Sequence, residues 1–247
     1  MNEDELRFGG VARLYGSDGL IRLAAASVCV VGIGGVGSWA AEALARSGIG
    51  QITLVDLDDI CVSNINRQLH ALDTFVGRPK VEVMAARIGA INPGCQVRAL
   101  AAFFTETTAE EILQTRFDFV LDAIDEVANK SLLIARCCQK QIPIISVGGA
   151  GGRKDPTAIK VADLAQASHD ALLRKVRQKL RDDHGFAREA KKPFGVPCVF
   201  SIEPAVVPAE GCVGRVTCDN GYGTASFVTG AFGLVAASCV VSKIAAG

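Results

Sequence analysis

Between Ser27 and Gln68 the chain places three kinds of chemical group in close order: glycines at 32, 34, 35 and 37, acids at 56, 58 and 59, and the run Ser63-Asn64-Ile65-Asn66-Arg67-Gln68. The spacing Gly32-x-Gly34-x-x-Gly37 allows a tight turn whose backbone comes close to phosphate oxygens, at a helix start whose dipole and free N–H groups favour negative charge. Asp56, at the tip of an apolar run, suits a ribose hydroxyl in a dinucleotide or in an adenosine phosphate. The run after it discriminates between the two. Asn64, Asn66, Arg67 and Gln68, with Lys80 following at a helix start, set amides and cations beside the phosphates. Hydride transfer needs no such cluster, whereas displacement at phosphorus needs cations on the developing charge. Asp122 and Asp125 end a later apolar run, where carboxylates suit Mg²⁺ shared with phosphate oxygens. Asp122 could equally cap the following helix, which favours Asp125 as the ligand.

These groups need a scaffold, and the pattern supplies an α/β one. Val28–Val31 and Ile52–Val55 are short β-branched strands around a helix over Val36–Ser47, in which Trp39, Ala43 and Leu44 share a face. Pro79 opens a helix closed by Pro93-Gly94. Gln96–Ala102 is a third strand, and Thr108-x-x-Glu111 has the form of a capping box. Phe117–Leu121, a helix over Val127–Gln141, and Pro143–Val147 follow, ending at Gly148-Gly149-Ala150-Gly151-Gly152-Arg153. This alternation predicts a Rossmann-like, doubly wound, mainly parallel sheet, with ligands at the carboxyl ends of its strands. Residues 1–26 form an N-terminal arm with only short helical patterns, 27–153 the nucleotide-binding core, and 154–247 a C-terminal extension of the same domain that covers the sheet. In the extension, Ile159–Asp163 is a short strand, Ser168–Arg181 a charged helix, 182–194 a polar loop, and 196–207 another strand.

Composition narrows the function. Lys+Arg and Asp+Glu both number 26, so no global field draws in a polyanion and DNA binding is not expected. One local patch stands out: from His169 to Lys192 there are eight Lys/Arg against four Asp/Glu, concentrated at Arg174, Lys175, Arg177, Lys179 and Arg181. Contacts of this kind would give salt-dependent RNA binding, and a solvated helix is the plainer alternative. Nine cysteines without any C-x-x-C pair, and an acidic, polar N-terminus, point to a reducing cytoplasm and away from zinc. Cys29, Cys61, Cys137 and Cys138 sit in core patterns, while Cys212, Cys218 and Cys239 remain open for sulfur chemistry. Ala225–Val241 is 17 residues with three Ser/Thr and two Gly, which favours a buried helix at a dimer interface over a membrane span of ~20 apolar residues.

From about Arg7 to Val147 the order Gly32-x-Gly34-Gly35-x-Gly37, Asp56-x-Asp58, Ser63-Asn64-x-Asn66-Arg67-Gln68, Lys80 and Asp125 resembles the ubiquitin-activating-enzyme superfamily in its bacterial ThiF/MoeB/HesA form. That resemblance implies MgATP-dependent adenylation of a carboxylate. It would set Gly34 and Gly35 under the phosphates, with Gly32, Gly37 and Asp58 in the same nucleotide site, and Asp56 on the ribose. Asn64, Arg67 and Lys80 would contact the phosphates, Asp125 would hold the metal, and Arg13 would be lent to a dimer partner's ATP. The missing zinc pairs, Gly148–Arg153, Asp155-Pro156-Thr157, the basic helix and Ser226-Phe227-Val228-Thr229-Gly230-Ala231-Phe232-Gly233 are similar to the subgroup of tRNA threonylcarbamoyladenosine dehydratases (TcdA, CsdL or YgdL). It implies an ATP-dependent homodimer that cyclises a modified base in tRNA, with room for a cysteine-desulfurase or sulfur-acceptor partner. Adenylation of the C-terminus of a small sulfur-carrier protein is the alternative within the family. A nicotinamide-dinucleotide dehydrogenase or a nucleotide sensor is the alternative outside it.

Overall fold

The computed structural model describes residues 3–189, 192–206 and 222–247. In chain order these form α1 (Glu3–Ala25), β1 (Ser27–Val31), α2 (Gly37–Arg46), β2 (Gln51–Val55), α3 (Lys80–Ile91), β3 (Gln96–Leu100) and α4 (Ala109–Leu113). They continue with β4 (Phe119–Asp122), α5 (Val127–Gln139), β5 (Ile144–Val147), β6 (Ile159–Asp163), α6 (Ala171–Asp183), β7 (Pro197–Ser201) and α7 (Ser226–Ala246). The sheet has the order β3-β2-β1-β4-β5-β7-β6, parallel except for β6, which runs antiparallel to β7. β1 therefore lies between β2 and β4, and the chain winds away from it in both directions. The crevice at the carboxyl ends of β1 and β4 is where such sheets bind ligands.

Alternation along β1 divides the core. Val28 and Val30 pack with α2, α3 and α7 residues such as Leu44, Met84, Phe232 and Val240. Cys29 and Val31 face Leu133, Leu173, Val176 and Leu180 from α5 and α6. The extension thus covers both faces, α7 on one and α6 on the other. α7 lies very close to α2: a Cβ at Gly230 would meet the Trp39 ring at 3.4 Å, and one at Gly233 would run into Val36 O and Ala40 N. Glycine permits that approach, and it explains why a 21-residue helix of mean hydropathy 1.8 is half buried in the body.

Several elements differ from their sequence expectations, each for a local reason. The N-terminal arm is helical over 23 residues, kinked where Gly16 takes φ 77°. Its glycines hid a helix that is held by tertiary contacts: Phe8 against Gly48, Arg7 Nη1 donating to Ile91 O, Tyr15 bonded to Ser242, and Arg22 donating to Ala245 O. β3 stops at Leu100, and β7 ends at Ser201, where Glu203 N turns back onto Ser201 Oγ. Position 207 lies outside the described residues. α5 ends at Gln139, before Gln141 enters the left-handed region at φ 56°. The capping box at Thr108 does not form, because Thr108 Oγ1 donates to Phe103 O and accepts from Thr105 N. The apolar C-terminal helix extends to Ala246.

Asp122 is neither a helix cap nor an open ligand. Glu126 caps α5, accepting from Ala128 N and Asn129 N. Asp122 is fully buried, 2.9 Å from Lys130 Nζ, and accepts from Ser146 Oγ and Ile124 N. Lys130 Nζ also donates to Ile124 O at 3.0 Å, so the pair fixes the turn that carries Asp125. Lys130→Met is expected to cost about 3–5 kcal/mol, because it strands a buried carboxylate. A fall in the urea midpoint checks this, and an unchanged midpoint would show that the site tolerates the lone acid.

Candidate active site

The glycine turn follows β1 directly. Gly32 takes φ 89°, and a side chain there would strike Ala123 O and Ile124 N at the end of β4. A side chain at Gly37 would overlap Gly32 O, so the helix start and the strand end are packed backbone to backbone. Asp56 closes this turn: Oδ2 accepts from Ile33 N at 2.6 Å and Oδ1 from Asp58 N at 2.9 Å. Burial pushes its carboxyl upward, and the Lys80 charge opposes that shift. Asp58 pairs with Lys80, Oδ2 to Nζ at 2.7 Å, and its carbonyl accepts from Lys80 N at the start of α3.

The run from Ser63 to Gln68 lies against the same turn. A Cβ at Gly35 would sit 3.4 Å from Arg67 Cγ and 3.3 Å from Thr229 Cγ2, and one at Gly34 would be 3.9 Å from Gln68 Nε2. Arg67 Nη1 donates to Ser63 O and Asn66 Oδ1, and Arg67 O accepts from Trp39 Nε1 and Thr229 Oγ1. The guanidinium is thus aimed from a loop clamped by α2 and α7. Asn64 is buried and its Oδ1 accepts from Cys61 N, so it shapes the loop. Asn66 Nδ2 donates to Thr224 O at 3.0 Å, tying the loop to the entry of α7. The structure therefore brings together Gly32, Gly34, Gly35, Gly37, Asp56, Asp58, Asn64, Arg67 and Lys80.

Asp125 is exposed on the turn that abuts Gly32. Among the described residues no group of three His, Cys, Asp or Glu could cage a metal. Arg13 is exposed on α1, whose neighbours Gly48, Ile91 and Ala245 lie at the end of the body away from the glycine turn.

Burial sets two further groups apart. Gln68, expected as one more donor, is buried beside the turn with its Oε1 lacking a hydrogen-bond partner. His70, which no sequence motif marks, is buried with neither ring nitrogen bonded. Burial, with Lys80 and Arg87 nearby, lowers the His70 pKa to about 4. The unfolded chain, titrating near 6.5, takes up the proton first. Stability is therefore full above about pH 6.5 and falls as pH drops toward 4, by about 3 kcal/mol over that window. His70→Gln should flatten this part of the curve in urea titrations at a series of pH values; an identical slope in both proteins would contradict it.

The basic helix is not one patch. Arg174, Arg177 and Arg181 line a cleft of about 400 Å³ with Gln178, Asp182 and Arg188. Lys175 and Lys179 lie on the adjoining face, which shares Gln178 and Asp182 with that cleft, and Lys179 Nζ bonds Asp183 at 2.6 Å. Burial, and next the charge of Arg181, lower the Arg177 pKa, while Asp170 opposes the shift. Arg181 is held by Ala187 O and the Phe194 ring, and Arg188 by Asp182. Arg188 was missed because it comes from the loop, outside the helical spacing.

Among the described residues the thiols divide by burial. Cys29, Cys95, Cys137 and Cys198 are buried, and burial drives all four upward, Cys29 to about 12 and Cys95 to about 11. Cys61 and Cys138 are exposed and Cys239 is half-buried, its thiol raised by burial. Cys212 and Cys218 lie outside the described residues. Cys61 and Cys138, expected in the core, turn outward on a loop and at a helix end respectively.

Known proteins resemble the chain along nearly its whole length. The chain is 49% identical to the tRNA threonylcarbamoyladenosine dehydratase of Haemophilus influenzae over 97% of its own length and 94% of the relative's. The crystal structure of E. coli tRNA N6-threonylcarbamoyladenosine dehydratase, TcdA, in complex with ATP superposes with a TM-score of 0.91 at 48% identity, covering 99% of this chain and 96% of that one. The AMP complex of the same enzyme gives a TM-score of 0.92 at 48% identity, again over 99% and 96% of the two chains. The ThiF family model matches residues 10–245, and the chain belongs to the ThiF family.

Proposed function

We propose that the chain is an ATP-dependent tRNA threonylcarbamoyladenosine dehydratase that cyclises the modified base through an acyl-adenylate. The observation that carries this reading is the placement of Arg67 and Lys80 around a glycine turn closed by Asp56, in a chain half-identical along its length to a dehydratase. The threonyl carboxylate is a poor electrophile. Its oxygen attacks the α-phosphorus of ATP, the bond to the pyrophosphate oxygen breaks, and pyrophosphate departs. The carbamoyl group of the same nucleoside then attacks the activated carbonyl and gives up a proton, and AMP leaves with the former carboxylate oxygen. The net change is the loss of one water from the base. The second step is intramolecular, so positioning replaces a protein nucleophile and no cysteine or desulfurase partner is required.

Gly34 and Gly35 cradle the phosphates, and Asp56 receives the ribose while it holds the turn. Arg67 and Lys80 carry the charge that develops on the phosphates, with Lys80 released from Asp58 as the nucleotide takes its place. Asn64 keeps the loop in register. Asp125 would hold Mg²⁺, which supplies Lewis-acid neutralisation of the phosphate oxygens when bound. The active form is a homodimer in which Arg13, remote from its own glycine turn, serves the other copy's nucleotide. Arg174, Arg177 and Arg181 take the tRNA backbone. Exchange of pyrophosphate into ATP that depends on modified tRNA tests the reading. Exchange that depends instead on a small carrier protein would favour the alternative substrate.

A further inference from the structure

The glycine run after β5 is built around a buried ion pair. Arg153 and Asp170 are 5% and 6% exposed, with Nη2 and Oδ2 3.3 Å apart. Asp170 does three things at once: Oδ1 caps α6 at Leu173 N, Oδ2 accepts from Gly149 N at 2.9 Å, and the same oxygen meets Arg153. A side chain at Gly148 would collide with that carboxylate, so the first glycine exists for this contact. Arg153 Nη2 also donates to the carbonyl of His169, a residue held in the left-handed region at φ 55°, where strain marks functional junctions.

The other end of the run reaches the donor loop. Gly152 N donates to Gly223 O, and Val206 N donates to Gly152 O. The next residue, Thr224, accepts from Asn66, which in turn accepts from Arg67 Nη1. A continuous set of bonds therefore leads from the first turn of the arginine-bearing helix, through Asp170, Arg153 and the glycines, to the side chain of Arg67.

We propose that Arg153 and Asp170 are positioning residues that set the arginine cleft at a fixed distance and angle from the adenylation site, so that the tRNA base bound by one reaches the nucleotide bound by the other. This rests on the dehydratase reading. Neither side chain of the pair bonds a cleft guanidinium or the glycine turn, and the backbone bond from Arg174 N to Asp170 O survives substitution, so each end largely keeps its own affinity when the pair is broken. What is lost is their relative placement, and a misplacement of ~1 Å can cost up to about 10²-fold in rate.

Asp170→Asn preserves the acceptor for Leu173 N and removes the charge. Arg153→Lys keeps the charge and gives up the planar fork. Binding of ATP and of modified tRNA should stay within about threefold in both variants, while kcat for loss of water falls about tenfold or more in Asp170→Asn and less in Arg153→Lys. An unchanged kcat in either folded variant would overturn the proposal, as would affinities and kcat that decline together with the melting temperature. Should Asp170→Asn fail to fold, Arg153→Lys decides the question alone by its split between kcat and affinity. Dehydration by the unmodified protein in the same assay separates the two claims. If it is absent, both fall; if it is present and unaltered in the variants, only the role of the pair falls.

Discussion

Arg67→Ala is expected to slow adenylation by about 10²–10³-fold, the loss seen when one preorganised donor to a developing charge is removed. The side chain is fixed before any ligand arrives. Nη1 is bonded to Ser63 O and Asn66 Oδ1, and the backbone carbonyl is gripped from α2 and α7. A donor held in place in this way can contribute several kcal/mol. The backbone anchors survive truncation, so the loop should stay in place and tRNA affinity should hold. Rapid-quench measurement of acyl-adenylate or AMP formation, beside a tRNA binding isotherm, checks both halves. Wild-type adenylation in the variant would remove Arg67 from the mechanism.

The second large effect concerns the basic helix. Replacing Arg174, Arg177 and Arg181 together with glutamine should weaken tRNA binding on the order of 10²-fold at physiological salt, by loss of about one counterion released per phosphate contact. The slope of log affinity against log salt should flatten by about three. Replacing Lys175 and Lys179 should do less, because they sit outside the arginine cleft on the adjoining face and Lys179 is already paired with Asp183. Sequence spacing alone makes these five cations equivalent; the cleft with Arg188 does not. Equal losses from the two sets would contradict the division.

What could be read from the sequence was whatever depends on local spacing. The glycine turn, Asp56 and the strand–helix alternation are set within a few residues, and each appeared where its pattern put it. Where a partner far along the chain decides the outcome, spacing gave no signal. Thr108 has the form of a capping residue, but its hydroxyl goes to Phe103 O. Asp122 looks like a rim carboxylate and instead buries against Lys130, eight residues on and one helical layer away. α1 carries glycines that argue against a helix, and it is held by the ends of α2, α3 and α7. The Arg153–Asp170 pair joins residues 17 apart across the strand β6. The one local clue was Asp170 three residues before Leu173, an N-cap spacing.

The glycines and Asp56 would serve a dinucleotide as well as ATP, and in the proposed reading the donor loop, packed onto the turn, selects adenylation. The measurement that tests this most directly is incubation of the protein with MgATP and tRNA carrying threonylcarbamoyladenosine, followed by mass analysis of the released nucleosides. The expected product is a nucleoside lighter by one water, formed with AMP and pyrophosphate in equal amounts and only when ATP is present. An unchanged nucleoside mass, with ATP bound and tRNA bound, would contradict the selection of adenylation by the donor loop.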